Sequence, residues 1–167
     1  ASIALARGEY DAVDELVVAA LPDGPRTAPG QHSFLVRFNL SVVAASAALQ
    51  RGDYTAASAW IDCIERWITW SEMRFGHGDL ALLRAEYLYA TGDLASAERE
   101  ARRAIELSAS PPVFYVLDPA QRLLAKLALA AGNLDAAREH AEAALVMARE
   151  VGAAYEAALC KLPLAEA

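Results

Sequence analysis

The sequence predicts an all-α fold, a solenoid of antiparallel helical hairpins stacked one against the next. Two observations predict it. The first is composition. The 167 residues are 56% hydrophobic with only 9 glycines and 7 prolines. Much of the apolar share is alanine, the strongest helix former, whose small side chain lets helices approach closely. The second is a repeat. The strings ARGEYDAV (Gly8), QRGDYTAA (Gly52), ATGDLASA (Gly92) and AAGNLDAA (Gly132) follow one another at spacings of 44, 40 and 40 residues. A fixed period in this range marks a stacked-repeat architecture.

Each string reads as a corner between two helices. Glycine ends a helix in the left-handed conformation without strain. The next residue is Glu9, Asp53, Asp93 or Asn133. Asp and Asn are preferred N-caps, because the side-chain oxygen accepts a free backbone N–H of the following helix. Two residues after the glycine stands Tyr10, Tyr54, Leu94 or Leu134; five after, Val13, Ala57, Ala97 or Ala137; twelve after, Ala20, Ile64, Ala104 or Ala144. From five to twelve is two helical turns along one face. The tripeptide Arg51-Gly52-Asp53, which alone reads as an adhesion motif, is therefore a helix–turn–helix corner. An adhesion motif needs an exposed flexible loop, and the other three corners lack the triplet.

In chain order, residues 2–7 are the tail of a first helix and 9–21 its partner. PDGPRTAPGQH is the long loop, placed where the period stretches to 44, as insertions in a solenoid are. Ser33 caps a helix running to about Gln50, and residues 53–74 form the next, broken by FGHG. The following pair is 79–91 and 93–109, closed by SASPP. Asp118-Pro119 reads as N-cap and first helical position, giving helices at 119–131 and 133–150, with VFYVL just ahead as an extension of the first. Residues 153–166 begin a ninth helix, with Pro163 as a kink site. The expected units are 1–24, 32–74, 78–110, 113–151 and the start of another at 153–167, all in one domain. Both ends lie inside helical patterns, as in a segment of a longer protein. Apolar faces left there would favour self-association into a homo-oligomer.

The formal net charge of −7 argues against direct nucleic-acid binding, which needs a basic stripe. Cys63 and Cys160 form no CxxC pair and read as reduced, buried thiols of a cytoplasmic protein. No signal peptide is recognisable, nor an apolar run of the ~18 residues a membrane span needs. The sequence lacks a phosphate-cradling glycine loop, GxSxG and HExxH. His32, His77 and His140 share no metal-ligand spacing; the first two read as loop residues and His140 as part of a charged face beside Glu139. Acidic residues are scattered along helices, with Glu98 and Arg102 as a weak surface pair. No catalytic residue, metal or cofactor is expected.

The stretch AEYLYATGDLASAEREARRAIEL (85–107) resembles a tetratricopeptide repeat. In that family a small residue stands seven before the glycine, here Ala45, Ala85 and Ala125. The resemblance covers nearly the whole chain and implies a right-handed superhelix. The commonest unit has about 34 residues, and this longer one resembles the sensor regions of large bacterial signalling proteins. Maltose-activator-type transcription regulators are among these, as are cyclases and regulators carrying an ATPase module. AREVGAAYEAAL (148–159) resembles a boundary between two such units.

The resemblance further implies that residues 13, 10, 6 and 3 before each glycine face a concave groove. These are Asn39, Val42, Ser46 and Leu49; Asp79, Leu82, Glu86 and Tyr89; and Pro119, Arg122, Lys126 and Leu129. The polar strip is then Asn39, Ser46, Asp79, Glu86, Tyr89, Arg122 and Lys126. Arg122 and Lys126, four apart on one face, would hold a carboxylate or phosphate. The alternative is a solvated face on which Glu86 neutralises them. Only one unit supplies basic residues, unlike the peptide-clamp members of the family.

The helix AWIDCIERWITWSEMRF carries a core stripe of Ala57, Ile61, Ile64 and Ile68, flanked by Trp60 and Trp67. Trp70 lies further round. It either packs on a neighbouring helix or forms an exposed aromatic docking surface. The expected role is a non-catalytic protein-interaction or effector-sensing module of a bacterial signalling or transcription-regulatory protein. Its partner would be a protein, a peptide or a small effector. The alternative is a structural scaffold or self-assembly module without an effector.

Overall fold

The computed structural model describes residues 1–30, 33–72, 75–150 and 152. These residues form eight α-helices and no strand: α1 (Ser2–Ala6), α2 (Tyr10–Ala20), α3 (Phe34–Arg51), α4 (Tyr54–Ser71), α5 (His77–Thr91), α6 (Leu94–Ser108), α7 (Phe114–Ala130) and α8 (Leu134–Glu150). A single 3₁₀ turn (Gly24–Arg26) interrupts the long loop before α3. Helices pack in adjacent pairs, α3 with α4, α5 with α6 and α7 with α8. Each pair touches the next through α4 on α5 and α6 on α7, and the odd-numbered helices α1, α3, α5 and α7 also meet in series. Among the described residues no helix is long and apolar enough to cross a membrane.

The corners are built as the repeat predicts. Gly52, Gly92 and Gly132 have φ of +76°, +92° and +73°, a region a side chain would strain. The next amide reaches back to the helix just ended: Asp53 N–H to the Ala48 carbonyl, Asp93 to Leu88 and Asn133 to Ala128, each at 2.9 Å. The following helix is then capped. The backbone N–H of Ala56 donates to Asp53 Oδ1 at 3.0 Å, that of Ser96 to Asp93 Oδ1 at 3.1 Å, and that of Ala136 to Asn133 Oδ1 at 3.2 Å. Glu9 caps α2 by position only, without a side-chain hydrogen bond. Arg51 is held by Asp14 of α2 and lies over the Tyr10 ring, 5.7 Å from its centroid. Both charged residues of the Arg-Gly-Asp triplet thus serve the corner.

The positions fixed by the repeat form the core. Ala45, Ala85 and Ala125, the set from Val13 to Ala137, and Ile64, Ala104 and Ala144 are all fully buried. Ala20, at the end of α2, departs from the set and is only half-buried. In α4 the stripe Ala57, Ile61, Ile64 and Ile68 is buried, and Trp60, Cys63 and Trp67 are buried with it. Trp67 joins an aromatic group, 5.9 Å from Phe34, which stands 5.6 Å from Phe38.

Several boundaries differ from the expectation. Helix α7 begins at Phe114, so Pro119 lies inside it and Asp118 is no N-cap. The cause is burial: Val116 and Leu117 pack inward at 1% and 8% exposure, and helical geometry is what brings both to the core. Helix α5 begins at His77, placing that histidine in a first turn and not in a loop. Helix α4 ends at Ser71, where Glu72 takes φ +52°, ahead of FGHG. Ser33 stands at the start of α3 without a side-chain capping bond. His32, Cys160, Pro163 and the ninth helix at 153–166 lie outside the described residues.

Candidate functional site

The odd-numbered helices enclose a crevice of about 360 Å³. Helix α1 contributes Leu5 and Ala6, α3 contributes Gln50, α5 contributes Glu86 and Tyr89, and α7 contributes Arg122, Lys126 and two apolar neighbours. Arg122 and Lys126 are one turn apart on α7, as Glu86 and Tyr89 nearly are on α5. Four residues of the expected polar strip, Glu86, Tyr89, Arg122 and Lys126, are therefore brought together.

Arg122 is pre-oriented. Its Nε donates to Asp118 Oδ2 at 2.9 Å, and Asp118 is 5% exposed. A buried carboxylate on one edge of the guanidinium fixes its plane and leaves the Nη edge for another acceptor. Lys126 is exposed at the rim. Glu86 is half-buried, and burial pushes its carboxyl up to about 7 although Arg122 and Lys126 pull the other way. Near neutral pH the proton on Glu86 removes part of the negative charge, so the two cations are only partly neutralised.

The other expected strip residues lie elsewhere. Asp79 is on α5 but lines a separate cleft of about 730 Å³, at the turn between α6 and α7. It is seven residues, or about 10 Å of helix, from Glu86. Asn39 is exposed and donates from Nδ2 to the Leu35 carbonyl at 2.7 Å; Ser46 is half-buried. Neither lines the crevice. They stand eleven and four residues before Gln50, about 16 and 6 Å along α3, and only the C-terminal end of that helix reaches the crevice. Leu5 stands three before Gly8, so the groove offset applied to the first corner finds it. Gln50, two before Gly52, falls outside the offset pattern.

Trp70 is 56% exposed. One ring face is edge-on to Trp67 at 6.3 Å, and the loop at Gly30 closes on another part of the ring. Arg66 ties the same loop to α4 through the Pro25 carbonyl. His140 is not a simple surface residue: its Nδ1 lies 2.7 Å from Gln121 Oε1, linking α8 to α7. Burial, and then Arg102, push its imidazole below the usual value, against Glu139 and Glu98. Glu98 and Arg102 form the expected surface pair at 2.7 Å.

No protein-family model matches this sequence, and comparison with curated proteins and with solved structures gives no match.

Proposed function

We propose that this chain is a non-catalytic recognition module, a right-handed stack of tetratricopeptide-like hairpins. It holds a peptide, protein segment or small effector by an acidic group in the crevice of the odd-numbered helices. One observation carries the reading: α1, α3, α5 and α7 alone line that crevice, and Arg122 and Lys126 converge there beside Gln50 and Tyr89. A carboxylate or phosphate would accept hydrogen bonds from the Nη edge of Arg122, the Lys126 ammonium and the Gln50 amide. Such a ligand joins the α3–α4 hairpin to the α7–α8 hairpin, so its binding couples to the angle between them. That coupling is allosteric where two arrangements differ in affinity. The 40-residue period supports the sensor region of a cytoplasmic bacterial regulator, by resemblance.

An array of acidic peptides, ending in a carboxylate or carrying phosphoserine, tests the reading. Peptides retained by the native protein are lost on the double variant Arg122→Gln, Lys126→Ala. Equal retention by both proteins, with thermal melts showing both folded, overturns the crevice assignment. The scaffold reading is favoured by the exposure of Trp70. In that case Trp70→Ala, and not the double variant, abolishes association in sedimentation velocity.

A further inference from the structure

We propose that the second cleft, between the start of α5, the end of α6 and the first turn of α7, is a separate site for an organic cation. The group recognised is an alkylammonium or guanidinium, carried by a free amine or by a basic peptide side chain. This inference does not rest on the crevice, which shares no lining residue with the cleft.

Asp79 is the anchor. It is only 9% exposed, it lines the cleft, and among the described residues no cation pairs with it. A buried carboxylate without a counter-charge is unfavourable, and a ligand cation would relieve that. Burial pushes its carboxyl up to about 6, its own backbone N–H opposing this. Tyr115 faces Asp79 closely enough that the carboxylate, after burial, raises the phenol further; the hydroxyl therefore stays neutral. Glu106 adds a second acid to the lining, and no Lys or Arg belongs to the described lining residues. The neighbouring cations on α6 are engaged elsewhere, Arg102 with Glu98 and Arg103 with Glu100.

The walls select the kind of cation. Tyr115 is 72% exposed and Phe75 40% exposed, and aromatic faces attract ammonium and guanidinium groups. A metal ion fits less well. Hard cations take six or more oxygen ligands, and among the described residues no group of three His, Cys, Asp or Glu could hold a metal. The close packing of Gly78 on Ser108, where any Cβ would collide, fixes the floor against which Asp79 stands.

Backbone-amide NMR titrations of the full chain at pH 8 and constant ionic strength test the proposal. The probes are agmatine and the blocked tripeptide acetyl-Gly-Arg-Gly-amide, with sodium acetate as the anionic control. The expected result is saturable shifts at residues 76–79 and 106–115 for at least one cation and none for acetate. Asp79→Asn weakens binding at least about tenfold. Tyr115→Ala, which removes an exposed ring and spares the core, weakens it several-fold. Tighter binding of agmatine identifies a free amine as the source, and tighter binding of the tripeptide a basic side chain. Absence of saturable shifts with both cations, or unchanged affinity in both variants, overturns the site.

Discussion

At the scale of single residues, Glu86 shows how a position shared by core and crevice acquires chemistry. It lines the crevice with Leu5, Ala6 and Leu123, so its carboxyl is drawn out of water, and the two cations of α7 do not fully compensate. Its value of about 7 lies above the ordinary 4.5, so the folded state holds this proton more tightly than the unfolded chain. The resulting stability is fully present below 4.5 and is lost as pH rises through about 7. Glu86→Gln removes the ionisation and nearly keeps the shape. Urea midpoints of the variant and the native protein should agree near pH 4, and the variant should lead at pH 8. A difference that stays constant between those pH values would mean that Glu86 titrates like an exposed glutamate. Asp79 also titrates high, at about 6, but is present in both proteins and cancels.

At the scale of elements, two kinds of glycine have different energetic weight. Gly92 has φ +92° and open space where a Cβ would go, whereas Gly76 has φ +87° and would place a Cβ 2.6 Å from Phe38 Cζ. Gly92→Ala carries backbone strain alone, about 1–2 kcal/mol. Gly76→Ala adds overpacking against a buried ring, bringing the loss to about 2–5 kcal/mol. Chemical denaturation of both variants checks this; equal losses would show that Phe38 yields without cost. The repeat glycines were legible in the sequence because their turn chemistry is local, complete within eight residues. The caps Asp53, Asp93 and Asn133 were legible for the same reason, and the alanine positions through their fixed offsets from each glycine. Which of the two readings of α7 holds, an N-cap at Asp118 or a helix already running through VFYVL, was not legible, since the burial of Val116 and Leu117 decides for the second. Nor was the parting of Asp79 from Glu86, which depends on where the turn between α6 and α7 lies in space. Four of the seven strip residues met; Asn39 and Ser46 did not, because they stand eleven and four residues back along α3 from Gln50, the residue of that helix that lines the crevice.

At the scale of the whole molecule, the contacts are almost entirely between successive helices, with the odd-numbered series as the main exception. If the pairs behave as a nearest-neighbour stack, stability is a sum of hairpin and interface contributions, and a lesion should be felt most in its own hairpin. Trp67 is the largest fully buried side chain, 1% exposed in the core shared by α1 to α5. Trp67→Ala should cost about 3–5 kcal/mol. With about 1.4 kcal/mol per tenfold, the protecting equilibrium of amides in α3 and α4 should weaken by at least about 100-fold. The core around Leu123, Leu124 and Leu127 belongs to a different cluster, so amides of α7 and α8 should change far less. Native-state hydrogen exchange reads both ends at once. Equal acceleration in all helices would describe a single cooperative unit and would remove the physical basis for a stack whose hairpin angles respond to a ligand.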